Sequence, residues 1–346
     1  MQVVRWGIIG CGKVTEVKSG PAFDAVSGSK RVMVMRRDGH LAQDYARRHG
    51  VPRWTTDADA LIADPDVDAV YVATPVGSHL DYALKVCAAG KPCYVEKPMA
   101  RHVPEAEAMV AAFQRAGVPL FVAYYRRALP RFLKTRALVA DGAIGRLTGL
   151  TYRSASAAHK RMGEMPWRLK AEESGGGLFM DIGCHTLDAI DFIAGPLLDV
   201  QGRAANAASP CAVEDNVVMT FRLESGGQGT ASWNFASEIA EDIIVFTGTT
   251  GRISLSTFGQ EPVRLERSGH TECFDLPNPV QVQQPLIETI VNQLLGRVTC
   301  LSTGETALRT TRVMDTVLAN YYGGRDDPFW MRPESWPGRR DDSFPS

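Results

Sequence analysis

Two short motifs in the chain carry side chains that could move a proton. Glu96-Lys97-Pro98 places an ammonium group directly after a short apolar run, and Asp181 precedes His185 by four positions. Residues four apart on a helix lie on the same face, so this carboxylate and imidazole would point the same way. Together the three groups predict general acid/base chemistry by Lys97, Asp181 and His185. The alternatives are a surface lysine, a helix-capping aspartate and a packed histidine.

A glycine-rich turn near the start of the chain has the spacing of a nucleotide-binding loop. Gly10 and Gly12 follow an apolar run at 3–9. The first glycine permits a tight turn, and the second lets a pyrophosphate approach the backbone N–H groups that open a helix. Thr15 replaces the third glycine, so we expect the helix to stand off the sheet or to turn this side chain away. The expected dinucleotide contacts are Gly10, Cys11, Gly12, Lys13 and Val14, and an ordinary glycine turn is the alternative.

Two arginines stand where the ribose of the adenosine should lie. The run at 32–35 leads into Arg36-Arg37-Asp38, whereas an acidic residue roughly 20 positions after the loop usually holds this ribose in NAD-binding proteins. Guanidinium groups bind a 2′-phosphate through paired, charge-assisted hydrogen bonds. The sequence therefore predicts NADP, bound by Arg36 and Arg37. NAD stays possible because Asp38 is present, and two solvated arginines at a strand end are the alternative.

The elements that position these motifs alternate between short apolar runs and helical stretches. The apolar runs cover 3–9, 31–35, 69–73, 92–95 and 119–123. This alternation is typical of βαβ units and a parallel sheet, in which ligands lie beyond the C-terminal ends of the strands. His79 could equally begin a helix without touching a ligand. The cofactor contacts expected at these strand ends are Thr74, Pro75, His79, Glu96 and Lys97.

The pattern changes after residue 123. A helix at 129–139 and a glycine-rich turn at 175–177 come first, and closely spaced strand-like runs follow between 213 and 256. Turn residues between those runs indicate hairpins, and two helical stretches follow them. The predicted organisation is a doubly wound Rossmann domain at 1–123, an α+β domain for substrate binding and oligomerisation at 124–322, and an irregular tail at 323–346.

Composition excludes several classes of protein. The 346 residues include 38 basic and 39 acidic side chains, so the net charge of -1 offers no electrostatic footprint for nucleic acid or an anionic membrane. Because no apolar stretch reaches ~18 residues and the first strand begins almost at once, we expect neither a membrane helix nor a signal peptide. The seven cysteines lack paired spacing, which predicts reduced thiols in the cytoplasm. No cluster has metal-ligand spacing, so no metal is expected.

Over nearly its whole length the sequence resembles the Gfo/Idh/MocA oxidoreductases, named after glucose-fructose oxidoreductase, inositol dehydrogenase and a rhizopine-catabolism protein. The motifs that carry the resemblance are the Gly10–Gly12 loop, Ala73-Thr74-Pro75, Glu96-Lys97-Pro98, Tyr125-Arg126-Arg127, Trp167-Arg168 and the Asp181/His185 pair. The resemblance implies a second domain with a large, open, mostly antiparallel sheet that is often used for oligomer contacts.

The resemblance also implies roles for individual residues. Lys97, Asp181 and His185 would be catalytic, with His185 exchanging the hydroxyl proton and Lys97 donating to the developing alkoxide. Asp181 would orient the lysine or the substrate hydroxyls. Trp167 and Arg168 would reach the cofactor. The predicted substrate contacts are Tyr124, Arg126, Asp181 and His185, with ordinary packing as the alternative for the first two.

The function expected from these motifs is hydride transfer between NADP, or NAD, and a hydroxyl or carbonyl carbon. The substrate would be a sugar, a cyclitol, a dihydrodiol or a related polyol, and the site would need residues from both domains. Two alternatives stay open: a glycosidase or epimerase that uses the nicotinamide transiently, and a non-catalytic nucleotide sensor. A homodimer or homotetramer is expected because few helices follow the strand-rich region to cover its sheet.

Overall fold

The computed structural model describes residues 2–158 and 166–339, and its contacts divide the chain into two compact units. The first unit consists of Met1–Ala100, Glu105–Leu129 and Pro279–Leu308. The second consists of Arg101–Pro104, Pro130–Asn278 and Arg309–Ser346. The first unit thus continues past the predicted boundary at 123 and includes a late segment that the sequence prediction placed in the second domain.

A six-stranded parallel sheet forms the centre of the first unit, in the order β3-β2-β1-β4-β5-β6. This order is that of the doubly wound dinucleotide-binding fold, and it confirms the predicted fold class. Strands β4, β5 and β6 are buried along their whole length, as expected where helices cover both faces. The strands are β1 (Val4–Ile9), β2 (Ser29–Met35), β3 (Arg53–Thr55), β4 (Ala69–Val72), β5 (Cys93–Val95) and β6 (Leu120–Val122).

The helix that follows the glycine turn is broken into two short pieces. Helix α1 (Lys13–Val17) ends at Lys18, and α2 (Gly20–Ala25) begins directly after Ser19. Thr15 is fully buried rather than turned away, and its hydroxyl donates to the Gly12 carbonyl at 2.8 Å. The β-branched side chain is therefore accommodated in the core, with its hydroxyl bonded to the glycine turn. The other helices up to residue 116 are α3 (Gly39–His49), α4 (Ala58–Ala63), α5 (His79–Ala88) and α6 (Val103–Ala116).

The second unit is built on an eight-stranded sheet in the order β14-β13-β12-β11-β7-β10-β9-β8. All neighbouring strands are antiparallel except β7 and β10, which confirms the mostly antiparallel sheet. The strands are β7 (Leu147–Ala155), β8 (Leu198–Ala205), β9 (Asn216–Arg222), β10 (Gln228–Asn234), β11 (Glu241–Gly248), β12 (Gly251–Leu255), β13 (Val263–Arg267) and β14 (His270–Phe274). The remaining α-helices within the described residues are α7 (Pro130–Ala140), α8 (Ala171–Ser174), α9 (Cys184–Ala194), α10 (Gln284–Leu294) and α11 (Gly304–Tyr322).

Residues after 323 form short, packed turns in the part of the tail that the structure describes. Single 3₁₀ turns occur at Phe329–Met331 and Pro333–Ser335. The Trp336 indole N–H donates to the Phe329 carbonyl at 2.8 Å, and both aromatic side chains are buried. This segment therefore belongs to the core of the second unit. Within the described residues no helix is long and apolar enough to cross a membrane.

Candidate active site

The glycine turn is fixed between the ends of two strands. Gly10 has φ +92°, and a Cβ at this position would lie 2.9 Å from the backbone of Ala73 at the end of β4. The Gly10 and Cys11 N–H groups both reach the Met35 carbonyl at the end of β2, at 3.0 and 3.4 Å. The fold therefore requires a glycine at position 10 even without a ligand, because the backbone is left-handed and lies close to the end of β4.

Gly12 is surrounded differently. Its φ is -115°, which any residue can adopt, and the nearest described atom to a Cβ at this position is the Gly10 oxygen at 4.0 Å. The first N–H groups of a helix lack partners within it, so those of Lys13 and Val14 open onto the same turn. Lys13 is exposed, Val14 is half-buried, and Cys11 points into the core, where burial raises the pKa of its thiol to about 11. The open space beside Gly12 fits a pyrophosphate, and Cys11 can offer a ligand only its backbone.

Arg36 lies across this turn. Its Nη1 donates to the Cys11 carbonyl at 3.2 Å, and its side chain is half-buried, whereas Arg37 is exposed. Asp38 caps helix α3, where its Oδ1 accepts the Leu41 N–H at 3.1 Å. One guanidinium therefore lies against the glycine turn, and the neighbouring carboxylate already has a structural bond.

His79 connects the ends of two loops within the first unit. Its ring is fully buried, with Nε2 2.9 Å from the Thr74 carbonyl and Nδ1 3.1 Å from the Pro98 carbonyl. Burial lowers the pKa of His79, which favours the neutral ring. Because both ring nitrogens face protein carbonyls, we reassign His79 from a cofactor contact to a residue that positions these loops. Thr74 itself is half-buried and Pro75 is exposed, so both can meet a ligand.

Glu96 is held by buried side chains directly before Lys97. The Tyr71 hydroxyl donates to Glu96 Oε1 at 2.5 Å, and the Gln283 amide donates to the same oxygen at 2.8 Å. Glu96 Oε2 accepts the Lys97 N–H at 3.2 Å. Burial of Tyr71, together with the Glu96 charge, raises the pKa of its phenol well above the ordinary value, so the phenol remains a donor. Glu96 therefore fixes the backbone of Lys97 rather than presenting its carboxylate to a cofactor.

Gln283 and Tyr71 were not singled out by sequence reasoning. Gln283 lies 187 positions after Glu96 in the chain and is itself buried. No local motif marks such a residue, because its role depends on a long-range contact. The only available signal was indirect: a buried carboxylate requires hydrogen-bond partners.

In the second unit, Asp181 lies within a π-helical turn, Phe179–Gly183, that leads directly into α9. The Arg168 Nε donates to Asp181 Oδ2 at 2.9 Å, and the Arg168 guanidinium also lies 4.1 Å from the centre of the Trp167 ring. Arg168 and Asp181 keep 32% and 21% of their side-chain surface accessible. The carboxylate is thus oriented by a neighbour and still open to a ligand. Single π turns inside helices occur frequently at functional sites.

His185 lies in the first turn of α9 and is largely buried. Its ring meets the edge of Phe258 at a centroid separation of 6.0 Å. Phe258 keeps 42% of its surface exposed, and its backbone N–H donates to Asp242 Oδ2 at 2.6 Å. The structure therefore brings Trp167, Arg168 and Asp181 together in the second unit and places His185 one turn further on. Phe258 is an aromatic neighbour of the histidine that the sequence did not indicate.

The two residues predicted to line a substrate pocket in the first unit are buried. Tyr124 has no accessible surface, and Arg126 keeps 6%. The Arg126 guanidinium lies 5.0 Å from the centre of the Tyr125 ring. Packing explains Tyr124, so we reassign it to the core, and contact of Arg126 with a substrate stays a prediction.

Known proteins resemble the chain across both units. Residues 4–124 match the model of an oxidoreductase family with an NAD-binding Rossmann fold, and residues 132–254 match that of the Gfo/Idh/MocA C-terminal domain. Oxidoreductase P35 of Formosa agariphila is 38% identical over 317 residues, which cover 90% of this chain and 97% of that protein. The 1,5-anhydro-D-fructose reductase of Ensifer adhaerens is 32% identical over 266 residues, or 75% of this chain and 78% of that protein.

Solved structures show the same fold. A levoglucosan dehydrogenase in complex with NADH and levoglucosan superposes with a TM-score of 0.83 at 20% identity, covering 92% of this chain and 96% of that one. The glycine turn, the lysine after β5 and the Asp181/His185 pair thus lie in a chain whose two halves both match one family. The chain belongs to the Gfo/Idh/MocA family and is an oxidoreductase with an NAD-binding Rossmann fold.

Proposed function

We propose that this enzyme is an NADP-preferring dehydrogenase or reductase that acts on a hydroxyl or carbonyl carbon of a sugar or related polyol. The observation that carries the proposal is the junction at the start of α9, where Asp181 is oriented by Arg168 and His185 follows within the first turn. The related 1,5-anhydro-D-fructose reductase supports a sugar carbonyl as the reacting group.

In this proposal the bound nicotinamide supplies the acceptor or donor of the hydride. Within the oxidation direction, the His185 imidazole takes the proton of the substrate hydroxyl, since histidine titrates near neutrality. The Lys97 ammonium donates a hydrogen bond to the same oxygen as negative charge develops on it. Asp181, held by Arg168, accepts a neighbouring substrate hydroxyl and sets its orientation. In the reduction direction the same groups return the proton.

Arg36 and Arg37 support the preference for NADP. Arg36 already lies on the glycine turn, and Asp38 is engaged as a helix cap. Titration of intrinsic tryptophan fluorescence should give a lower Kd for NADPH than for NADH. Changing both arginines to Ala should weaken NADPH binding at least ~10-fold, about 1.4 kcal/mol, and leave NADH nearly unaffected. Equal affinities in the unchanged protein would contradict this preference.

The proposed reaction is tested by screening a panel of sugars, cyclitols and dihydrodiols for NADP⁺ reduction or NADPH oxidation at the nicotinamide absorbance band. On the substrate found, Lys97→Met should lower kcat by ~10² or more while cofactor binding persists, because an oriented donor to the developing charge is lost. Lys85→Met, which removes an exposed lysine paired with Asp59, is the matched control. Near wild-type kcat in Lys97→Met would refute the assignment.

His185→Asn should also lower kcat and remove the limb of the pH profile near neutrality if the imidazole handles the proton. A profile that keeps this limb in the variant would assign the proton to another group. Cofactor that stays bound and shows no net change during turnover would instead support a glycosidase or epimerase. Binding of cofactor without any turnover would support a sensor.

We propose a homodimer or homotetramer in the cytoplasm. Among the described residues none of the seven cysteines forms a disulfide with another, which supports a reducing compartment. The oligomer is expected to use the outer face of the eight-stranded sheet.

A further inference from the structure

The turn that precedes Asp181 is built from three consecutive glycines, Gly175 to Gly177, and the first two have positive φ angles. Gly175 has φ +80° and Gly176 has φ +157°. A Cβ at Gly177 would lie 2.4 Å from the Glu214 carbonyl oxygen. The turn therefore presses directly against Glu214, and no side chain fits between them.

The Glu214 carboxylate binds the end of this turn. Both of its oxygens lie 2.9 Å from the Gly177 nitrogen, and the Tyr322 hydroxyl donates to Oε2 at 2.5 Å. Glu214 has no accessible surface, and burial raises the pKa of its carboxyl group. A buried carboxyl group costs free energy unless it is hydrogen-bonded, so its bonds to Gly177 and Tyr322 hold it, and the turn, in one place.

The beginning of the turn is held by a buried guanidinium. Arg325 Nη1 donates to the Gly175 carbonyl at 2.6 Å, and its Nε donates to Asp315 Oδ1 at 2.8 Å. Asp315 in turn accepts the Val103 N–H at 2.7 Å. A cation therefore holds the first carbonyl of the turn and a carboxyl group holds its last N–H.

The same cluster touches the π turn that carries Asp181. A Cβ at Gly176 would lie 2.8 Å from Met180 Cγ and 3.3 Å from the Tyr322 hydroxyl. Only Leu178 separates the glycine turn from the π turn in the chain. A shift of the turn must therefore move the element that bears Asp181 and leads to His185.

We propose that Glu214, together with Tyr322 and Arg325, is a positioning unit that sets the placement of Asp181 and His185 for catalysis. This inference rests on the proposed function of those two residues. None of the three side chains is expected to touch substrate or cofactor. Misplacement of a reacting group by ~1 Å can cost ~10² in rate, so a small movement of the turn is sufficient to matter.

The test uses Tyr322→Phe and Glu214→Gln in the full-length protein. Each keeps the shape of the side chain and changes its hydrogen bonding to the turn. Tyr321→Phe is the matched control, because Tyr321 is a fully buried neighbour whose hydroxyl donates to the Ala212 carbonyl at 2.6 Å rather than to Glu214. We expect the first two variants to lower kcat by ~5- to 100-fold with little change in the Kd for NADPH, and Tyr321→Phe to keep kcat within ~2-fold.

A second readout does not require a substrate. The ring resonances of His185, identified by their loss in His185→Asn, should shift in Tyr322→Phe and Glu214→Gln and stay in place in Tyr321→Phe. Unchanged His185 resonances in all variants, or an equal loss of kcat in both tyrosine variants, would overturn the positioning role. Shifted resonances in a protein without turnover on any substrate would leave this role standing and refute the proposed reaction.

Discussion

At the scale of single residues, the two glycines of the nucleotide turn serve different purposes. Gly10 is required by its backbone and by its contact with β4, whereas Gly12 borders open space. Gly10→Ala should lower the free energy of unfolding by ~1–3 kcal/mol or more. Gly12→Ala should leave it within ~0.5 kcal/mol of wild type and weaken cofactor binding, because the new methyl group occupies the pyrophosphate space. Urea denaturation and NADPH titration of both variants separate the two effects, and equal destabilisation by both would contradict this distinction.

His79 gives a prediction for the dependence of stability on pH. Burial lowers its pKa in the folded state below the ordinary 6.5, so the unfolded chain takes up this proton first. The stability that His79 contributes is therefore present above pH 6.5 and is lost as the pH falls from 6.5 through the folded-state pKa. The loss can reach ~1.4 kcal/mol for each unit of pH.

The comparison of wild type with His79→Gln isolates this contribution. Glutamine keeps a donor for one of the two carbonyls but does not titrate. Below pH 6.5 the free energy of unfolding of the wild type should fall more steeply than that of the variant. Parallel pH dependence of the two proteins would show that the buried ring does not titrate differently on unfolding.

The sequence motifs indicate which positions matter near the candidate site, but they do not separate accessible side chains from buried ones. Gly12, Arg36, Thr74 and Asp181 each keep some accessible surface, and their contacts with a ligand stay predictions. Glu96 belongs to a motif, and His79 and Tyr124 lie within a few positions of one, but the structure shows all three side chains buried. A motif indicates that a residue type is needed at a position. It does not show whether the side chain contacts a ligand or is buried and holds the loop in place, because both roles occur in the same loop.

At the scale of elements, two phenols contact the break between α1 and α2: the Tyr71 hydroxyl lies 3.1 Å from Ser19 Oγ, and Tyr45 reaches the end of α1. The Tyr45 hydroxyl donates to the Thr15 carbonyl at 3.1 Å and accepts from Arg31 Nη1 at 3.2 Å. Tyr45→Phe should lower the free energy of unfolding by ~1–3 kcal/mol, because it leaves buried polar groups with fewer partners. It should also weaken cofactor binding, since α1 carries the nucleotide turn.

Tyr82→Phe, on the half-buried face of α5, is the control for Tyr45→Phe. Thermal unfolding and NADPH titration of the two variants give the comparison. If the two variants lower the free energy of unfolding equally, the effect comes from removing any tyrosine hydroxyl and not from the contact at the helix break.

Strands β7 and β14 were not predicted from the sequence, because neither shows the regular alternation of buried and exposed side chains. In β7 the buried residues Leu147, Leu150 and Tyr152 do not alternate, because a register shift opposite Thr247 and Gly248 inserts an extra residue. A bulge changes which face each later side chain occupies, so a strict period of two fails there. In β14 the side chains are almost all exposed, and an edge strand without a buried face leaves no apolar pattern to detect.

At the scale of the whole molecule, the outer face of the large sheet is the expected oligomer surface, and its exposed side chains are mostly threonines rather than large apolar groups. Val245, Thr151, Thr230 and Thr220 form one row across four strands through their register. The three threonines are exposed and Val245 is partly so. Their hydroxyl groups keep this face compatible with water, while their methyl groups and branched shape suit packing against a second sheet.

If the proposed oligomer uses this face, Thr230→Arg should give a smaller species, because a buried unpaired charge opposes association. Light scattering at micromolar concentration measures the change. Thr271→Arg on edge strand β14 is the control and should keep the wild-type mass. A monomeric wild-type protein, or an unchanged mass for Thr230→Arg, would contradict an oligomer on this face.

The division of the chain also has a consequence for its synthesis. The chain passes between the two units after residues 100, 104, 129, 278 and 308. The late segment supplies Gln283 to Glu96, and the Ser302 hydroxyl donates to the Val122 carbonyl at 2.8 Å beside the last strand of the parallel sheet. A nascent chain that has emerged only to residue 129 therefore carries a buried carboxyl group without one of its partners and an uncovered strand edge. The nucleotide-binding unit is complete only once the ribosome has made most of the protein, so a stalled or truncated chain exposes its sheet edge to aggregation until the final quarter arrives.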